Sequence, residues 1–237
     1  MKYLDMTLPT PAENLACDEA LLDFCEETGG EDILRVWEPS EYFVVVGYAN
    51  KVDVEVNRQS CCARGISILR RCSGGGAVVQ GRGCLNYSLI LNFSGNDSLQ
   101  TITQANHFVM ERQRHLLQTH LGIAIDIEGH TDLAIAGLKF SGNAQRRKKN
   151  FLLFHGTFLI KFEISMIAEL LKMPSKQPSY RENRAHEKFL TNLGHPAEEL
   201  KQVLRCGWNA SSQLEASPDL SKLLDEKYGR ENWNFKF

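Results

Sequence analysis

Apolar and polar positions follow two rhythms along this chain, and the switches between them mark the elements. From Pro11 to Thr28 the spacing is helical: Leu15, Leu22 and Cys25 share one face, while Asp18, Glu19, Glu26 and Glu27 are polar. Thr10 before Pro11, with Glu13 three residues on, predicts a capping box, and Gly29 and Gly30 end the helix. This helix reads as packing structure. Runs rich in β-branched and aromatic residues predict strands over 33–37, 42–47, 66–70 and 85–92. A second helix is predicted over about 103–121, before Gly122, and a strand over 123–127. A hairpin follows, with arms at 133–136 and 139–147 and a turn at Gly137. Residues 151–162 read as another strand, interrupted by His155 and Gly156, and helices are predicted over 163–172, 196–206 and 219–228. The stretch from Met173 to Arg184 holds Pro174 and Pro178 and reads as a long loop, a feature that is often functional inside a compact domain. No repeat and no linker interrupts the pattern. The chain therefore reads as one domain over 1–237, of class α+β, with a mixed, largely antiparallel sheet flanked by helices.

Composition adds exclusions. The 237 residues can bury a sizeable core, and 43% hydrophobic with 24% charged residues is ordinary for a globular protein. Lys plus Arg is 27 against 29 for Asp plus Glu, a net charge of −2 that argues against a generic nucleic-acid binder. No apolar run approaches the roughly 18 residues of a membrane span, and the N-terminus has no signal-peptide core. The seven cysteines are scattered, without CxxC or zinc spacing. They read as reduced thiols, so the expected location is cytoplasmic.

Three segments carry candidate chemistry. In Arg70-Arg71-Cys72-Ser73-Gly74-Gly75-Gly76-Ala77, three glycines after a strand let backbone N–H groups approach an anion, and two arginines can pair with phosphate or carboxylate. Neither a Walker loop nor a GxGxxG fingerprint is present, and a plain glycine-rich turn with solvated arginines is the competing reading. In Gly137-Leu138-Lys139-Phe140-Ser141-Gly142-Asn143, Lys139 sits in a predicted strand, where it either contacts a phosphate and an acyl carbonyl or guards a sheet edge. In Phe154-His155-Gly156-Thr157, a His-Gly step inside an apolar strand marks either a close backbone approach or a satisfied core histidine. The run Arg146-Arg147-Lys148-Lys149 reads as a solvated hairpin end or a docking patch for an acidic partner. Residues 177–186 either close over the site through Arg181 or Arg184 or form a surface connector.

Together these segments resemble the lipoate–protein ligase A family, within the biotin and lipoate ligase superfamily. The matching pieces are RRCSGGGAVV with GRGCLNYSLIL, then TDLAIAGLKFSGNAQR, then FHGTFLI, in the family's order. The resemblance implies the biotin/lipoate ligase catalytic fold without the C-terminal accessory domain. It implies an ATP-dependent, AMP-forming ligase that adenylates lipoic acid and passes the lipoyl group to a lysine of a lipoyl domain. It makes Lys139 the essential catalytic lysine, stabilising the phosphate and then the mixed anhydride. Arg71, Ser73, Gly74, Gly75, Gly76 and Ala77 match the acyl- and phosphate-binding loop. Ser141, Asn143 and Arg146 would line the nucleotide side, His155 would face the lipoyl pocket, and Asp132 is the candidate Mg2+ ligand. Val44, Val46, Val78 and Leu153 are candidate pocket walls. ATP and Mg2+ are the implied cofactors. The implied partners are lipoyl-domain proteins (2-oxoacid dehydrogenase acyltransferase subunits, glycine cleavage H protein or related lipoate-binding proteins) and a separate accessory-domain protein, with no nucleic acid and no membrane.

Octanoyl- and lipoyl-transferases share this fold and use a cysteine thioester in place of ATP. The stretches 123–138 and 155–171, where such relatives carry the cysteine, contain none. Cys72 and Cys84 flank the glycine loop without an evident activating partner and read as packing thiols. A ligase is therefore the expectation, an acyltransferase the alternative, and a non-catalytic lipoate binder on the same fold a third reading.

Overall fold

The computed structural model describes residues 1–215 and 218–237. In chain order its strands are β1 (Lys2–Asp5), β2 (Ile33–Trp37), β3 (Phe43–Val46), β4 (Ser67–Arg70), β5 (Val78–Gln80), β6 (Cys84–Asn92), β7 (Asp126–Glu128), β8 (Asp132–Ile135), β9 (Leu138–Arg147), β10 (Phe151–Leu159) and β11 (Ser212–Gln213). Eight of them form the main sheet, in the order β11-β1-β2-β6-β10-β9-β8-β7, and β4-β3-β5 form a second, smaller sheet. Only β1 pairs in parallel in the main sheet, with β2 and β11; the other neighbours are antiparallel. The mixed, largely antiparallel α+β architecture expected from the sequence is thus present.

The alternation in β6 explains the layering. Leu85, Tyr87, Leu89 and Leu91 point to one face and pack with Val109, Met110 and Leu117 of the Ile102–Leu121 helix and Leu200 and Leu204 of the Ala197–Gly207 helix. Ile90 points to the other face, against Leu21, Leu22 and Cys25 of the Pro11–Thr28 helix. That first helix carries the capping box read from the sequence, with Thr10 and Glu13 bonded reciprocally, and ends on Gly29 at φ 65°. The small sheet buries Val44, Val46, Ile68 and Val79 against Ile167, Leu170 and Leu171.

Two expectations need correction here. The first helix is not packing structure alone, because Asp18, read as a polar-face residue, is 3% exposed and points inward. The strand expected over 151–162 ends at Leu159. Strands β1 and β5 and the short helices Val52–Glu55 and Arg58–Ala63 went unread. Among the described residues no helix is long and apolar enough to cross a membrane.

Candidate active site

The two sheets face each other across a cleft of about 540 Å³. That volume is in the range of small-molecule sites. Val45, Val79, Leu159, Ile167 and Leu171 supply apolar wall, and the segment from Leu171 to Leu190 covers one side through Lys172, Arg181 and Phe189. Of residues 177–186, Gln177, Pro178, Arg181 and His186 line the cleft, whereas Arg184 does not.

The glycine-rich segment joins β4 to β5 and passes over the end of β3. Its register is fixed by Arg71 N donating to Val46 O and Tyr48 N donating to Ser73 O, at 3.1 and 2.8 Å. The two arginines have separate roles. Arg70 is fully buried and donates to the carbonyls of Gly47, Tyr48, Asn50, Trp233 and Asn234, so it ties the loop base to the C-terminal segment and is not available to an anion. Arg71 lines the cleft but also holds the loop, donating to Ser73 Oγ at 3.1 Å, Gly74 O at 2.6 Å and Gly76 O at 2.8 Å. Burial pushes its guanidinium down to about 10, still protonated at neutral pH.

On the facing wall, Lys139 lies on β9 beside a β-bulge at Leu133/Ala134 of β8. Its Nζ sits 2.8 Å from Asp132 Oδ1, and the Tyr180 hydroxyl donates to Asp132 Oδ2 at 2.8 Å. A Cβ at Gly142 would come within 2.8 Å of Lys139 Nζ, so the missing side chain is what lets the amine lie across the strand. Gly156 does the same for Asn143, whose Oδ1 would lie 1.6 Å from a Cβ there. Asn143 is then locked, accepting from the Tyr87 hydroxyl at 2.6 Å and donating to Thr131 O at 2.7 Å.

His155 and Asp18 line the cleft as well: His155 Nε2 stands 2.6 Å from Ser73 Oγ, and His155 Nδ1 stands 3.3 Å from Asp18 Oδ2. Asp18 is also paired with the fully buried Arg35 at 2.6 Å. Burial alone would raise the Asp18 carboxyl; the Arg35 guanidinium and the His155 contact outweigh it and hold the carboxyl below its ordinary value of 3.8.

Of the residues singled out from the sequence, Arg71, Gly75, Gly76, Ala77, Asp132, Lys139, Ser141, Asn143 and His155 meet on the cleft wall. Ser73, Gly74 and Arg146 do not: Ser73 lies beneath the loop, and Arg146 stacks over Tyr48 at 5.9 Å. Val78 lines the cleft, but Val44, Val46 and Leu153 are packed in the cores; Val44 and Val46 flank the cleft-lining Val45 and so point away from its face. The basic run is partly taken up internally. Arg147 donates to Leu99 O and Gln100 O, and Lys148 pairs with Asp23 at 2.6 Å. For Mg2+, Asp132 has one oxygen on Lys139 and the other on Tyr180, and no group of three possible metal ligands occurs among the described residues. That donor set gives no ready cage for a resident ion, and no chemical step is routed through one.

Sequence reasoning missed Asp18, Gln80, Asn86, Thr157 and Tyr180, all but Tyr180 on the cleft wall. Gln80, Asn86 and Thr157 bond to one another as a polar patch. One signal was present: Arg35 is a lone charge inside Ile-Leu-Arg-Val-Trp, and a charge there demands a buried partner.

The cleft lies between a mixed sheet and a small one, with a glycine-rich loop facing a strand lysine, and the comparisons give the class of protein to which this arrangement belongs. Residues 10–205 match the lipoyl protein ligase A/B catalytic domain, and the chain belongs to this family. Octanoyltransferase LipM of Geobacillus kaustophilus is 25% identical over 272 aligned positions, spanning 99% of this chain and 98% of that protein. Lipoate–protein ligase 1 of Staphylococcus aureus is 27% identical, spanning 99% of this chain and 73% of its own length. Among solved structures, a bipartite lipoate protein ligase from Thermoplasma acidophilum, studied with its E2 lipoyl domain, superposes with a TM-score of 0.81 at 24% identity, over 99% of this chain and 96% of that one. A lipoate-protein ligase A bound with ATP gives 0.81 at 24%, over 99% of both. These likenesses show the fold. The activity expected from the sequence, ATP-dependent lipoate ligation, is corrected by the curated relatives: octanoyltransferases from Geobacillus, Lysinibacillus, Anoxybacillus and Halalkalibacterium match over nearly their whole lengths.

Proposed function

We propose that the protein is an acyltransferase that moves an octanoyl or lipoyl group from a thioester donor to a lysine of a lipoyl domain, without ATP. The observation that supports it is the full-length match to octanoyltransferases, on a chain whose cleft joins apolar walls to a preset lysine–aspartate pair. The acyl chain would lie along Val45, Val79, Leu159 and Ile167. Burying each CH₂ contributes about 0.8 kcal/mol to binding, so an octanoyl chain is anchored largely by its length.

The acceptor amine attacks the thioester carbonyl; a C–N bond forms and the C–S bond breaks. Lys139 Nζ, held by Asp132, donates to the developing oxyanion. Asp132 takes the proton released by the amine and passes it to the departing thiolate, so charge and protons balance. The cysteine intermediate expected of transferases is not part of this route. Among the described residues no cysteine lines the cleft, and burial pushes the Cys72 and Cys84 thiols up to about 12. The partner this reading implies is a lipoyl domain, whose lysine would supply the attacking amine.

Incubating the protein with an octanoyl thioester and an apo lipoyl domain, with nucleotide withheld, tests the reading. The expected product carries one octanoyl amide on a lysine. Acceptor modification seen only with free acid and ATP would overturn it.

A further inference from the structure

The contact line from Asp18 to Ser73 has no part in the transfer step just described. Its protons can be assigned from chemistry. Arg71 Nε can only donate, and it reaches Ser73 Oγ at 3.1 Å, so the serine hydrogen is free to point at His155 Nε2, 2.6 Å away. An ionised Asp18 carboxylate can only accept, so it draws the ring proton to Nδ1, 3.3 Å from Oδ2, and in that neutral tautomer Nε2 accepts from the serine hydroxyl. Asp18 is anchored in turn by Arg35 Nη1 at 2.6 Å, and Arg35 is fixed by Asn14 O at 2.8 Å and Asn14 Oδ1 at 2.7 Å. At the far end Arg71 Nη2 holds the carbonyls of Gly74 and Gly76. The line runs from the first helix to the glycine-rich loop.

A serine–histidine–aspartate order is also that of acyl-forming nucleophiles. Ser73, however, is 1% exposed and absent from the cleft wall, so a donor carbonyl does not reach its oxygen. The line is a mechanical device.

We propose that Asp18 is a positioning residue for the acyl site, acting through His155 and Ser73 to hold the Arg71–Ala77 loop in the shape that receives the acyl head group. This rests on the reading of that loop as part of the acyl site. Without the carboxylate the ring is free to take the other tautomer, its Nε2–H then faces Ser73, and the serine hydrogen is turned toward the Arg71 donor.

A double-mutant cycle between residues that do not touch tests it, with octanoate affinity measured by calorimetry. Asp18→Asn and Ser73→Ala should each weaken octanoate binding about tenfold, and the double variant about tenfold as well rather than roughly a hundredfold. Additive losses overturn the proposal, because a role for Asp18 confined to the Arg35 pair would not couple to Ser73. The His155 tautomer in the wild-type protein, read from its imidazole nitrogen shifts, decides the matter without any variant: Nδ1–H is expected, and Nε2–H overturns the line. Wild-type protein that binds no octanoate would overturn the acyl-site reading, while the tautomer would still decide the line.

Discussion

Under the proposed transfer, Lys139 would act from a position set before any substrate arrives. Its amine is fixed by Asp132, which Tyr180 fixes from the other side, so little reorganisation is needed when an oxyanion forms. Losing one such preorganised donor typically costs a hundredfold or more. Lys139→Ala should therefore lower kcat for acyl transfer by about a hundredfold or more, with a small change in KM for the donor. A variant with near-normal kcat would remove Lys139 from the reaction. Asp18 makes a prediction of a different kind, about stability. Its carboxyl titrates lower in the folded chain than in the unfolded one, where it sits at about 3.9. The unfolded state thus binds the proton more readily, and the group stabilises the fold above about pH 4 and stops doing so as pH falls through the folded value. Urea unfolding of wild type and Asp18→Asn should show a stability gap that is full at neutral pH and shrinks below about pH 4. A gap independent of pH would contradict the ion-pair account.

At the scale of elements, the β8–β9 hairpin carries both Asp132 and Lys139, and its turn is strained. Ala136 sits at φ 50°, where a Cβ is disfavoured. Ala136→Gly should raise unfolding stability by roughly 0.5–1 kcal/mol, as the lost strain exceeds the added freedom of the unfolded chain. A lower urea midpoint would argue against strain there. The first helix was legible from its period and capping box, this hairpin from its turn glycine, and the central strands from their β-branched and aromatic composition. The cleft was legible only in part. The RRCSGGGAVV, GLKFSGNA and FHGTF segments carry their residues close together, and most of those side chains do meet. Asp18 and Tyr180 lay hidden for a physical reason: each reaches its partner through tertiary packing, from an element whose local pattern says only helix or loop. Conversely Arg70 and Arg146 looked like anion binders by type. The fold uses Arg70 to satisfy backbone carbonyls and stacks Arg146 on Tyr48.

At the scale of the whole molecule, the large sheet supplies the chemistry, the small sheet much of the apolar wall, and the 171–190 segment the cover. The fold is common to ligases and transferases, so the architecture alone does not say how the acyl group is activated. The full-length octanoyltransferase matches favour a donor activated before it arrives, and the absence of a cysteine from the cleft wall, among the described residues, favours direct passage to the acceptor. The most direct test is the rate of acceptor acylation in one preparation, measured by intact mass with an octanoyl thioester donor and with free octanoate plus ATP. Acylation is predicted from the thioester alone, unchanged by ATP, with the enzyme's own mass unmodified when the acceptor is omitted. Acylation that requires ATP and releases AMP would contradict the account.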